Sequence, residues 1–178
     1  MKRLPILGIL LLLLTGCCLA QAKKSRATSS NLNIRKVNFK SVKYNVGSKY
    51  DLQGVTQKDL RVISTKFGDL DGDGADEAAV HILYSMERYG GNGYGYFVEL
   101  FTVAKGKLKV LARLEGGGKS SEFQIKLVNI VEGQLVIKQC EMTAPTYDEY
   151  LATVKYEWNG DQLVEVNRAR TKVENCWN

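Results

Sequence analysis

The sequence predicts a mainly β fold, an antiparallel sheet built as a meander of hairpins, and three observations carry that prediction. Apolar and polar side chains alternate: Leu108, Val110, Ala112 and Leu114 with Lys107, Lys109 and Arg113, then Ala152, Val154, Tyr156 and Trp158 with Thr153, Lys155 and Glu157. A period of two puts one set on a buried face and the other in water. Two-residue turns that favour positive φ interrupt the apolar runs: Lys105 with Gly106, Glu132 with Gly133, and Asn159 with Gly160. An acidic stretch, Asp69 to Val80 (DLDGDGADEAAV), stands between two further strand patterns.

The chain opens on the parts of an export signal, residues 1–22: Lys2 and Arg3, an apolar run from Leu4 through Leu14, then small residues. The run is too short for a good membrane span. Leu14, Thr15, Gly16 and Cys17 resemble a bacterial lipobox, which implies lipid on Cys17; Ala20 and Ala22 instead fit cleavage after residue 22. Either reading sends the protein out of the cytoplasm, to the periplasm, an outer membrane or the cell envelope, with a membrane anchor in the first case. Removing Lys2 and Arg3 takes the formal charge of +6 to +4. That mild, scattered basicity is no nucleic-acid signature. Residues 23–33 (KKSRATSSNLN) lack apolar periodicity and read as a flexible tether. Residues 34–178 form a single β-rich domain.

Within it, Val37 to Tyr44 alternates enough to predict a first strand, and Val46 to Lys58 a loop or short irregular helical turn. Leu60 to Phe67 enters the acidic stretch and Ala78 to Met86 leaves it, carrying His81, the only histidine, in a structural role. The segment ERYGGNGYGY reads as a wide Gly-rich loop whose Tyr89, Tyr94 and Tyr96 are candidates to contact a ligand. Gly116 to Ser120 imitates a phosphate loop, yet Arg113 stands where the motif needs its first glycine, so it predicts a turn. Ala144 to Thr146 makes another connection, with Asp148 and Glu149 on a solvated loop. Cys140 and Cys176 are an even pair in an oxidising compartment and predict a disulfide.

The acidic stretch carries the chemistry. Five carboxylates fall within nine positions, Asp69 to Glu77; Asp76, at position eight, is expected to point away, and the other four, aimed at one point, repel without a counter-ion. Calcium needs six to eight oxygens, and alternate side chains of a short loop supply them: Asp69, Asp71, Asp73, the carbonyl of Ala75 after the turn at Gly74, and Glu77. An EF-hand would place a carboxylate at position twelve, where Val80 stands, and helices on both sides. The stretch resembles instead the D-x-D-x-D-G-x-x-[DE] loop of FG-GAP and VCBS-type repeats, with Glu77 in place of the commoner Asp. The fold class is then mainly β with one calcium loop between two strands. Export signal, loop and hairpins together are similar to small bacterial envelope proteins or lipoproteins of no assigned activity. That likeness implies calcium as cofactor and an envelope location. The function this predicts is a non-catalytic binding or interaction module whose partner is an envelope protein or a glycan. The alternative is a small secreted hydrolase, or a hydrolase inhibitor, stabilised by calcium.

Overall fold

A computed structural model describes residues 32–46, 54–85, 93–118 and 122–177. The export signal with Cys17, most of the tether and Tyr89 lie outside the described residues. The described chain forms one open antiparallel sheet of eight strands in meander order. The strands are β1 (Leu60–Gly68), β2 (Glu77–Ser85), β3 (Tyr94–Ala104), β4 (Lys107–Gly118), β5 (Phe123–Val131), β6 (Gln134–Thr143), β7 (Asp148–Trp158) and β8 (Leu163–Lys172). Among the described residues no helix is long and apolar enough to cross a membrane.

The sheet divides where β4 meets β5, whose ladder is the single pair Gly117 with Gln124. Gly116 to Gly118 therefore end β4 instead of forming the predicted turn. They are pressed against β3: a Cβ on Gly118 would fall 2.2 Å from the Tyr94 carbonyl oxygen, so only glycine fits. Beyond this corner β5 packs back across β1, β2 and β3. One core lies inside the fold-over, where Leu70, Ala79, Val98 and Leu100 meet Ile125, Val128, Ile130, Leu135 and Ile137.

A second core lies on the opposite face of β2 and β3, where Ile34, Phe39, Tyr44 and Val55 cover Ala78, Val80, Ile82, Phe97 and Phe101. The segment that supplies this cover is not the strand predicted over Val37 to Tyr44. Two short 3-10 turns replace it, Ile34–Lys36 and Phe39–Ser41. Asn33 and Asn38 each accept a hydrogen bond from a backbone N–H two residues on, at 2.9 and 3.2 Å, and that local bonding outcompetes a ladder. The Tyr44 O–H then donates to the Phe39 carbonyl at 2.6 Å.

Turn chemistry is as predicted at Lys105 (φ 52) and Glu132 (φ 52), each followed by a glycine with positive φ. At Asn159 it differs. The Asn159 side chain accepts from the N–H groups of Asp161 and Gln162, at 3.0 and 2.9 Å, which opens the connection to residues 159–162. Asp148 and Glu149 begin β7 instead of a solvated loop: Asp148 pairs with Lys172 at 2.7 Å, and Glu149 accepts from the Cys176 N–H at 2.6 Å. The predicted disulfide joins Cys140 to Cys176, with Cα atoms 5.7 Å apart, and fastens the chain end to β6.

Register opposes Val80 to Glu99 and Glu99 to Arg113, placing an ion pair under the N-terminal cover. Arg113 Nη2 donates to Glu99 Oε1 at 2.9 Å, and both side chains are almost wholly buried. The guanidinium carbon stands 4.1 Å from the centre of the Phe97 ring. Burial pushes the Glu99 carboxyl up and Arg113 pulls it back. Arg113→Ala leaves that carboxylate buried without its counter-charge and is predicted to cost about 3–5 kcal/mol in urea unfolding, whereas the double change Glu99→Leu with Arg113→Met recovers most of it.

Candidate metal centre

The acidic stretch is a short loop from β1 to β2, and each acid has a definite place in it. Asp69 accepts from the Gly72 N–H through Oδ1 (2.7 Å) and from the Gly74 N–H through Oδ2 (3.0 Å). Asp71 accepts from the Asp73 N–H at 3.1 Å, and Asp73 from the Ala75 N–H at 2.8 Å. Gly72 (φ 74) and Gly74 (φ 87) take left-handed conformations that let the backbone curl round these carboxylates. Leu70, between the first two aspartates, points the other way and is buried with Ile130 and Leu135. That apolar plug anchors the loop to the fold.

Glu77, the first residue of β2, is fully buried. Its Oε2 accepts from the Leu70 N–H at 2.9 Å and its Oε1 from the Thr102 hydroxyl at 3.1 Å. Oxygens of Asp69, Asp71 and Glu77 lie within 4.8 Å of one another, an acidic group able to hold a metal ion. Asp73 is not among these three side chains; its Oδ1 accepts from the Ala75 N–H. Asp76 faces away and forms an ion pair with Arg35, which also sits 5.3 Å from the centre of the Phe67 ring. The site thus bridges the N-terminal cover, both flanking strands and β3.

The donors are all oxygens, and among the described residues neither Cys140, Cys176 nor His81 belongs to the group. Such a set suits a hard cation over one that prefers nitrogen or sulfur. His81 is buried, its Nε2 makes no hydrogen bond among the described residues, and its ring lies 5.3 Å from that of Tyr96. Burial lowers its pKa to about 4, so it is a neutral packing residue. Tyr94 and Tyr96 belong to β3 instead of a loop, and their rings stand 5.9 Å apart.

Sequence reasoning missed the buried Glu99 and Arg113 pair and a second cluster, Glu141 with Arg168 and Arg170. The alternation of Arg168 and Arg170 was readable as one strand face. Their partner, on a strand two places away, was not. Comparison of the chain with family models, with curated proteins and with solved structures returned no match.

Burial pushes the Glu77 carboxyl up to about 7; the bonds from Leu70 and Thr102 oppose that rise, and the charges of Asp71 and Asp73 add to it. A carboxyl whose folded pKa is raised contributes stability that is present below its unfolded value of 4.5 and is lost as pH rises through about 7. Glu77→Gln removes that dependence. In chelating buffer, wild type and variant are predicted to unfold alike near pH 4.5, and by pH 8 the wild type falls below the variant by roughly 3 kcal/mol in urea titrations.

Proposed function

We propose that the protein is an exported, non-catalytic envelope protein whose Asp69 to Glu77 loop holds calcium as a structural ion, and that the sheet so fixed serves as a binding or interaction module. The observation that carries the metal part is the convergence of Asp69, Asp71 and Glu77 on one point, with Glu77 ionisable yet fully buried. A fixed divalent charge is what would make an ionised carboxylate tolerable there. Calcium fits better than magnesium because a flexible shell of carboxylate and backbone oxygens suits its larger radius and higher ligand number. Asp69, Asp71 and Glu77 would supply the charged ligands, with Asp73 and the Ala75 carbonyl close enough in sequence to complete the shell. The likeness of the loop to FG-GAP and VCBS-type repeats supports this reading, and the features of residues 1–22 support export.

The hydrolase alternative gains nothing from Glu141, the buried carboxylate that Arg168 and Arg170 reach from β8. Both oxygens of Glu141 are bonded to arginines, so its hydrogen bonds serve an internal ion-pair cluster.

Extracellular calcium modules bind at roughly 0.1–1 mM, and calcium at about ten times its dissociation constant adds about 1.4 kcal/mol. Thermal unfolding should therefore rise by about 3–6 °C between chelator and saturating calcium. Asp71→Ala should abolish that rise. An unchanged melting temperature across chelator, calcium and the variant removes the metal from the account.

A further inference from the structure

The β5–β6 hairpin runs from the acidic loop to a cavity. At its turn, a Cβ on Gly133 would stand 3.8 Å from the Asp69 carbonyl oxygen. Its open end, with Phe123 and Glu141, lines a cavity of about 510 Å³ bounded also by the end of β4 and by β8. That volume lies in the range of small-molecule pockets, about 300–1,000 Å³.

The cavity has a built polar floor. Glu141 is 5% exposed and accepts from Gln139 Nε2 and Arg170 Nε, each at 2.6 Å, and from Arg168 Nη1. Arg168 also grips Glu165 with Nε at 2.8 Å and Nη2 at 2.6 Å. What remains open is a mixed set. Among the described residues, the two Nη groups of Arg170, the Oε1 of Gln139 and the O–H of Tyr156 make no hydrogen bond. Gln139 itself is only 6% exposed, and the bond from its Nε2 to Glu141 fixes the amide orientation. Beside them lie Ile125 and Ile137, an apolar wall.

Charge decides what this can accept. The described lining carries two arginines against three carboxylates, Glu115, Glu122 and Glu141, so an anion meets a site already neutralised and slightly negative. A cation finds the buried carboxylate occupied at both oxygens. A neutral group that both donates and accepts satisfies the free donors of Arg170, the free acceptor of Gln139 and the two-way hydroxyl of Tyr156 without displacing an existing bond. Hydroxyls on a ring with an apolar C–H face have that character.

We propose that this cavity is a binding site for a neutral, hydroxyl-rich ligand, a sugar unit that hydrogen-bonds Arg170, Gln139 and Tyr156 while its C–H face lies on Ile125 and Ile137. The proposal names a ligand for the binding module inferred above and does not depend on the metal. It is tested by following the backbone and side-chain NMR signals of the protein during titration with maltose, cellobiose and N,N′-diacetylchitobiose, with glucuronate and glucosamine as charged comparators. The expected result is shifts clustered at Gln139, Glu141 and Arg170 with at least one neutral disaccharide at millimolar level, weaker by about tenfold for the charged sugars. Arg170→Ala and Tyr156→Phe should each weaken binding about tenfold, and the second removes one oxygen while keeping the ring, so it reports even if the first fails to fold. A soluble amylose arm separates a glycan chain from a free sugar as the source: shifts with amylose as well as maltose mark a site open to a chain, and shifts with maltose alone one that takes free sugar. Absence of shifts with all neutral sugars, or an equal response to glucuronate, overturns the proposal. Asp71→Ala should leave the sugar response unchanged while abolishing calcium stabilisation, so that failure of one reading is told apart from failure of the other.

Discussion

Burial of one carboxylate governs how the two ends of this fold are joined. Glu77 leaves the acidic loop as the first residue of β2 and sinks between two cores, with its oxygens on the Leu70 N–H and the Thr102 hydroxyl. A carboxylate so placed must be protonated, hydrogen-bonded or matched by a cation. Two hydrogen bonds meet part of that demand, and Asp69 and Asp71 converge beside it where a cation would meet the rest. Because Leu70 is plugged into the core beneath, the loop cannot open to let Glu77 reach water without uncovering apolar surface. Local electrostatics and global packing are thereby coupled at one residue.

The sheet on which this depends is covered on both faces of its first half. The N-terminal turns cover one face and the returning β5–β8 strands cover the other. That arrangement explains why β2 and β3 are almost wholly buried while β8, at the sheet edge, is exposed along nearly its whole length. It also explains where charges could be buried. Arg113 and Glu99 face each other across neighbouring strands under the N-terminal cover, and Glu141 meets Arg168 and Arg170 across β7. In both places register, not chain proximity, brings the partners together.

Much of the strand pattern was legible because its causes are local. Alternation over Leu108 to Leu114 and Ala152 to Trp158 is a statement about two faces, and Gly106 and Gly133 mark turns that need positive φ. The errors arose where a side chain bonded its own backbone or where a distant strand intervened. Asn33, Asn38 and Asn159 each captured nearby N–H groups, turning an expected strand into 3-10 turns and an expected two-residue turn into a longer one. Gly116 to Gly118 looked like a turn until the close approach of Tyr94 and Tyr96 showed why glycine stands there. Asp148 and Glu149 looked solvated because Lys172 and the Cys176 N–H come to them from the far end of the chain.

For the candidate metal site the division is clear. The sequence alone determined that acids would alternate around a glycine turn between two strands, because spacing within nine residues constrains a loop whatever surrounds it. Only the tertiary structure decided that Glu77 is buried, that Asp69 and Asp71 converge on it, and that Asp76 turns outward to Arg35. The cavity on Arg168, Arg170 and Glu141 belongs wholly to the second kind, since its walls come from β4, β5, β6, β7 and β8. Short-range bonding and periodicity are written in neighbouring residues; desolvation and convergence exist only once distant strands have been laid side by side.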